Sequence, residues 1–507
     1  MKYFLHFLPA LLLFSVNDVL LAQDYSIRAV VKEKFRTADA SYEKLDAGTI
    51  VELSDYRIIA GTPTIRAIIN GQERMISAFD LKHLDYQLNE LSVDGVWYQQ
   101  FLQSSALDQL SKRGWDQEVR RELQEEYLSF NETITLFDDP YLDDYLNQVR
   151  LQLFPKQPVE KHPSVMRIRV YESVEPGTFA CANGDLFIST GLLAALQTKE
   201  ELLAILAQEF AHIQFNHSVD NFRRNLSREA RAAFWSGVIT VAAAVTETAV
   251  AEQSIRNGTF SPVDLYAFGA FTESISLLST AIAFQIANRL GMEYSPEQEQ
   301  EADQTAITLL QHLKADNQAL LNAYTRIHEA QKKSRSFRLQ TAEEHLYPHL
   351  YRQMLNLGYK SNQQLPAADP AYISATAMAR RNTAWQEFLS GNYERTQELL
   401  TVQLDADAAV LEDYMLQSVL LRQTSNDAGD MERAMLLLRK AEQEAYALSP
   451  EIHLEKAMVF MRLDEQEGAR RELESYRNAL KKTENGDGQA DRIAWVTQML
   501  EKLSRGR

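Results

Sequence analysis

Residues 198–217 read TKEELLAILAQEFAHIQFNH, and they hold the side chains best suited to chemistry: Gln208, Glu209 and His212. Thr198 followed three residues later by Glu201 is a capping box, so a helix is predicted from Lys199. Leu202, Leu203, Ile205, Leu206, Phe210 and Ile213 give that helix its apolar face. Positions four apart share a face, so residues 208 and 212 point at one spot with Glu209 beside them. With His at 208 the motif would be HExxH, which puts two imidazoles on a zinc ion and supplies a Glu as general base. The chain has Gln208 instead. An amide oxygen binds zinc as a harder, neutral and weaker donor than imidazole, and losing one of three ligands lowers affinity by orders of magnitude.

Such a helix needs a third ligand from elsewhere, commonly a carboxylate on a second helix. Ser295, Pro296 and Gln298 form a second helix start, with an N-cap, a proline at the first position and a capping box. Glu299 on this helix is the candidate metal carboxylate, and Asp303, four residues on and on the same face, is the group expected to orient a ligand from behind. Glu301 is expected to point away. His217, five residues after His212, lies about 140° round an unbroken helix and is expected to be a surface or capping residue. His345 and His349 have no spacing argument in their favour.

Short β-branched segments at 26–31, 49–53, 64–69 and 73–76, with an Asn70-Gly71 turn, predict a small β-barrel. Residues 87–121 turn helical and charged, and a strand is expected at 165–171. A hairpin follows around Asn183-Gly184, and Thr190-Gly191 leads into a helix. Residues 232–251 and 265–287 are rich in Ala and Val. Each approaches a bilayer span in length, yet each carries an acid, so a helical hairpin over the cleft is favoured over a membrane element. Residues 361–370 read as a linker. Beyond them, GNYERT at Gly391, GDMERA at Gly429 and DEQEGA at Asp464 recur at about the 34-residue tetratricopeptide period. Stacked helical hairpins with a concave face are expected there.

At 507 residues the chain is long enough for several domains. Its net charge of −18 and lack of a basic patch exclude a general nucleic-acid binder. Lys2, an apolar run at 4–16 and Leu20-Leu21-Ala22-Gln23 read as a signal peptide over residues 1–23, hence export. The single cysteine, Cys181, excludes an internal disulfide and is read as a small buried apolar residue. Sequons at Asn131, Asn225 and Asn257 are about as many as chance provides.

FACANGDLFISTGLLAAL, AQEFAHIQFNH and YSPEQEQEADQTAITLL, in that order, resemble family 48 of the metallopeptidases, HExxH zinc endopeptidases of protein quality control at membranes. The likeness runs over about 122–357 and includes DDPYLDDYLNQV. It implies that Glu209 is the catalytic base, that His212 and Glu299 are metal ligands with Gln208 in the degenerate ligand position, and that Asp303 lies behind them. It further implies that Phe179, Ala180, Cys181, Ala182 and Asn183 form the edge strand along which an extended substrate adds. Near the domain end, Tyr347-Pro348 stands where the family often has His-Pro before an Arg, here Arg352. Residues 24–86 resemble bacterial SH3-like domains.

The fold class expected is therefore multidomain α+β. Residues 24–86 form an SH3-like barrel, 87–121 a connector, 122–360 a zincin-like, mainly helical domain with a small sheet, and 371–507 a tetratricopeptide-like α-solenoid. The resemblance implies an exported zinc endopeptidase of the periplasm or cell envelope, acting on polypeptides, with membrane association through 232–287 as an option. Gln208 leaves a second reading open, a pseudopeptidase scaffold that binds unfolded or partner proteins. A third has the site holding another ligand or metal.

Overall fold

The computed structural model describes residues 27–59, 62–86, 91–105, 134–154, 167–181, 184–220, 294–333, 348–360, 364–444, 449–482 and 489–504. The signal segment 1–23, the apolar stretches within 232–287, the three sequons, Ala182, Asn183 and His345 lie outside them. The chain divides into two compact units, Met1–Gln103 and Ser104–Arg507.

In the first unit, β1 (Ile27–Val31), β4 (Ile50–Ile59), β5 (Thr62–Ile69), β6 (Gln72–Ser77) and β7 (Leu84–Tyr86) form an antiparallel sheet in the order β6-β5-β4-β1-β7. The small pair β2 (Phe35–Arg36) and β3 (Lys44–Leu45) stands apart from it. Alternation sends Ile27, Ala29 and Val31 of β1 inward. Asn70 and Gly71, both with positive φ (50° and 74°), close the β5–β6 hairpin as the Asn-Gly pair predicts. The expected barrel is not found: among the described residues the sheet is open, with β6 and β7 at its two edges. The reason is local. After β6 the chain makes a 3-10 turn, Ala78–His83, that buries Leu81, and it returns as a strand of only three residues. The helix α1 (Val93–Gln103) packs on that turn.

The second unit is mainly helical. Asp139 caps α2 (Pro140–Leu153), whose Leu142, Leu146, Val149 and Leu153 are buried at helical spacing. A three-stranded sheet follows in the order β8 (Arg167–Tyr171), β10 (Asp185–Ser189), β9 (Thr178–Ala180), with β8 parallel and β9 antiparallel to β10. Every residue of β10 is buried, and the strand runs straight into α3 (Thr190–Ala195). Gly191 is required at that junction, because a Cβ there would lie 2.3 Å from the Val174 carbonyl oxygen.

The capping box Thr198/Glu201 starts α4 (Lys199–Gln214), and Ser295/Gln298 with Pro296 starts α5 (Pro296–His312), both as the sequence predicts. Helix α4 is the hub of the unit. All of residues 201–214 are buried, and it packs on α5, on α6 (Ala319–Lys333), on α2 and on β9. The short helix α7 (Pro348–Asn356) lies against α5 and α6.

The remaining helices are α8 (Pro370–Ala375), α9 (Ala377–Leu389), α10 (Tyr393–Asp405), α11 (Leu411–Thr424), α12 (Ala428–Glu444), α13 (Glu451–Arg462), α14 (Gln466–Leu480) and α15 (Gln489–Ser504). They pack mainly as consecutive neighbours. The three similar segments noted in the sequence fall at the starts of α10, α12 and α14. Bidentate pairs cross between helices: Arg381 to Asp413 (2.9 and 2.7 Å) and Arg422 to Glu455 (3.0 and 2.9 Å). The array is continuous with the site-bearing part. Ala194 of α3 shares a core with Ala384, Trp385 and Phe388, and Arg380 donates to the carbonyls of Ala194 and Leu196 at the end of α3.

Candidate active site

The site lies where α4 crosses α5. The capping box sets where α4 begins, and two turns later Gln208, Glu209 and His212 emerge, all buried. Gln208 Nε2 is 2.8 Å from His212 Nε2 and 3.1 Å from Glu299 Oε2. His212 Nε2 and Glu299 Oε2 are 3.5 Å apart. The sequence-predicted trio Gln208, His212 and Glu299 is thus brought together. Tyr294 stacks flat on the His212 ring at 3.6 Å. Burial holds His212 neutral, its pKa falling to about 3.

Glu209 is next to Gln208 on the same helix, and its Oε2 is buried with no hydrogen-bond partner. Burial, and then the nearby Glu299, push its carboxyl up to about 8. Near neutral pH it is therefore mostly protonated and holds a proton rather than taking one.

Asp303 is buried behind Glu299, but it ties to neither Gln208 nor His212 in the described contacts. It accepts from Tyr324 Oη (2.7 Å) and, more weakly, from Gln353 Nε2 (3.4 Å); burial raises its carboxyl to about 7. Gln353 Nε2 also donates to Glu299 Oε2 at 2.7 Å, so the link from Asp303 to Glu299 runs through an amide on α7. Sequence reasoning missed Gln353. Its neighbour Arg352, which the resemblance singled out, is exposed.

His217 corrects an expectation: it is fully buried, and its Nδ1 lies 2.9 Å from His212 Nδ1. The prediction assumed a helix running on through residue 217. Helix α4 instead ends at Gln214, and Asn216, at φ 58°, turns the chain so that His217 comes back against His212. Glu301, expected to point away, joins the cluster through His217: its carboxylate meets His217 Nε2 at 3.0 Å and accepts from the backbone N–H and hydroxyl of Ser105 (2.7 and 2.8 Å). An Asn three residues beyond the predicted apolar face was the one available signal for the turn.

Of the predicted edge strand 179–183, Phe179 and Ala180 lie in β9, one of the two outer strands of its sheet, and Cys181 follows it half-buried. Cys181 N–H bonds to the Asp185 carbonyl of β10, and Ala180 is buried with its carbonyl already accepting from Ser218 Oγ at 3.2 Å.

A helix-borne Glu and His and a carboxylate from a second helix thus lie together, with a small sheet packed on the same helix. The family model for Peptidase family M48 matches residues 142–352, which relates this part of the chain, less than half its length, to the metallopeptidases. Comparison with curated proteins returns no match.

That family implies a zinc ion, and the residues present do not fit one as they are arranged. Gln208 Nε2, His212 Nε2 and Glu299 Oε2 are spaced like one face of a tetrahedral site. The vertex at 208, however, is an amide nitrogen, which has no lone pair to give. Glu299 Oε2 also accepts from two amides, Gln208 and Gln353, which occupies both of its lone pairs. Among the described residues, no group of three or more His, Cys, Asp or Glu is placed to hold a metal.

Proposed function

We propose that this protein is an exported, polypeptide-binding protein of the metallopeptidase type that works at the cell envelope and does not hydrolyse peptides through zinc. One observation carries the reading: both N–H groups of the Gln208 amide are directed at the two atoms, His212 Nε2 and Glu299 Oε2, that would have to bind the metal. The edge strand β9 and the helical array serve as surfaces for unfolded chains or partner proteins. The apolar N-terminal segment supports export, and the apolar residues 232–287 are where membrane association would arise. Among the described residues no helix is long and apolar enough to cross a membrane.

The purified chain is expected to bind a fluorescent, permanently unfolded polypeptide, read by anisotropy, and to leave it intact with zinc present. Zinc-dependent cleavage that Glu209→Gln abolishes would overturn the reading. A second reading, a slow zinc endopeptidase, is favoured by the metal-like spacing of the three site atoms. It requires the Gln208 amide to turn over and present its oxygen, at the loss of both of its present hydrogen bonds.

A further inference from the structure

We propose that His217, Glu301 and Ser105 are positioning residues that keep the Gln208 amide in the place of a metal ion, by fixing the proton on each imidazole between them. The proposal rests on the zinc-free reading of the site and supplies the device behind it. It starts at the far end. Both the N–H and the O–H of Ser105 donate to Glu301, which is therefore an acceptor at both oxygens. His217 Nε2, 3.0 Å from Glu301 Oε2, must then carry a proton. A neutral imidazole has one N–H, so His217 Nδ1 is an acceptor, and His212 Nδ1, 2.9 Å away, must donate to it. That leaves His212 Nε2 as a bare lone pair. It can only accept, so Gln208 turns its nitrogen and not its oxygen toward it, at 2.8 Å. The second amide N–H then falls on Glu299 Oε2 at 3.1 Å.

Each donor determines the next, and the chain runs one way from Gln208 through His212 and His217 to Glu301. His212 and His217 are fully buried and both stay neutral, so the only charge in the chain sits on Glu301, which three donors satisfy. The reverse order would put a His212 Nε2–H against the amide and turn the Gln208 oxygen onto the Glu299 carboxylate, acceptor against acceptor. The same order has a second consequence. It aims the His212 Nε2 lone pair at the point where a metal would sit, so what blocks that lone pair is the amide at position 208.

Two measurements on the full chain test this. In protein carrying 15N-labelled histidine, long-range 15N–1H correlation at neutral pH is expected to show His212 protonated on Nδ1 alone and His217 on Nε2 alone. His217→Phe, which removes the acceptor, is expected to release His212 into mixed tautomers. A proton on His212 Nε2, or no change in His212 in that variant, overturns the proposal. In the second, Gln208→His is titrated with Co2+ and is expected to bind it with the visible absorption of a tetrahedral site. Adding His217→Phe should weaken that binding by at least ~10-fold. Equal affinities, or no binding by Gln208→His, overturn it as well. The histidine spectrum reads protons in the unaltered chain, so it can fail while polypeptide binding holds, or hold while cleavage is found.

Discussion

The two ends of α4 are equally buried and differently finished. At its start, Glu201 is fully enclosed and both of its oxygens are partnered, by Gln197 N–H (2.7 Å), Thr198 N–H (3.2 Å) and Arg326 Nε (2.7 Å), with Arg326 reaching on to the Pro366 carbonyl. Two turns later Glu209 is also buried, and one of its oxygens meets no partner. Burial alone therefore does not distinguish structural from functional acids here. Satisfaction does. An unpartnered buried carboxyl costs stability, and one beside a half-built metal face marks a site rather than a core.

The comparison breaks most readily at its structural end. Arg326→Met removes one partner of a buried ion pair and leaves Glu201 short of a donor, with an expected loss of about 3–5 kcal/mol in urea unfolding. A loss below about 1 kcal/mol would mean that the capping box alone satisfies Glu201, and the contrast between the two ends would fail.

Glu209 gives a smaller effect with a defined pH dependence. Its folded-state pKa, about 8, lies above its ordinary 4.5. The folded chain thus keeps a proton that the unfolded chain releases, and stability falls as pH rises from 4.5 toward 8. Glu209→Gln removes this slope. The variant is expected to gain on the unaltered chain across that window, by on the order of 2 kcal/mol at its upper end. Parallel melting curves at all pH values would show that Glu209 ionises freely and is no different from a surface acid.

What the sequence revealed of this helix was what is local to it. Thr198 with Glu201 and Ser295 with Gln298 each act within one turn, and both helices start where those residues say. The juxtaposition of Gln208, His212 and Glu299 was also legible, because helical spacing and a family resemblance agreed on it. The groups that hold the trio were not. Gln353 reaches Glu299 from α7 and Arg326 reaches Glu201 from α6, and no periodicity links such distant positions. His217 was misplaced because angular spacing holds only while a helix continues, and α4 stops three residues short of it. The N-terminal sheet failed in a related way. Its strands and its Asn70-Gly71 turn are local, whereas closure needs β6 and β7 to meet, and the 3-10 turn between them leaves them at opposite edges.

The central claim is that an amide, not a metal, sits between His212 and Glu299. Metal analysis of the purified chain after equilibration with zinc, beside Gln208→His treated identically, tests it most directly. The account predicts zinc far below stoichiometric in the unaltered chain and stoichiometric in the variant. Stoichiometric zinc in the unaltered chain, lost on Gln208→Ala, would contradict it.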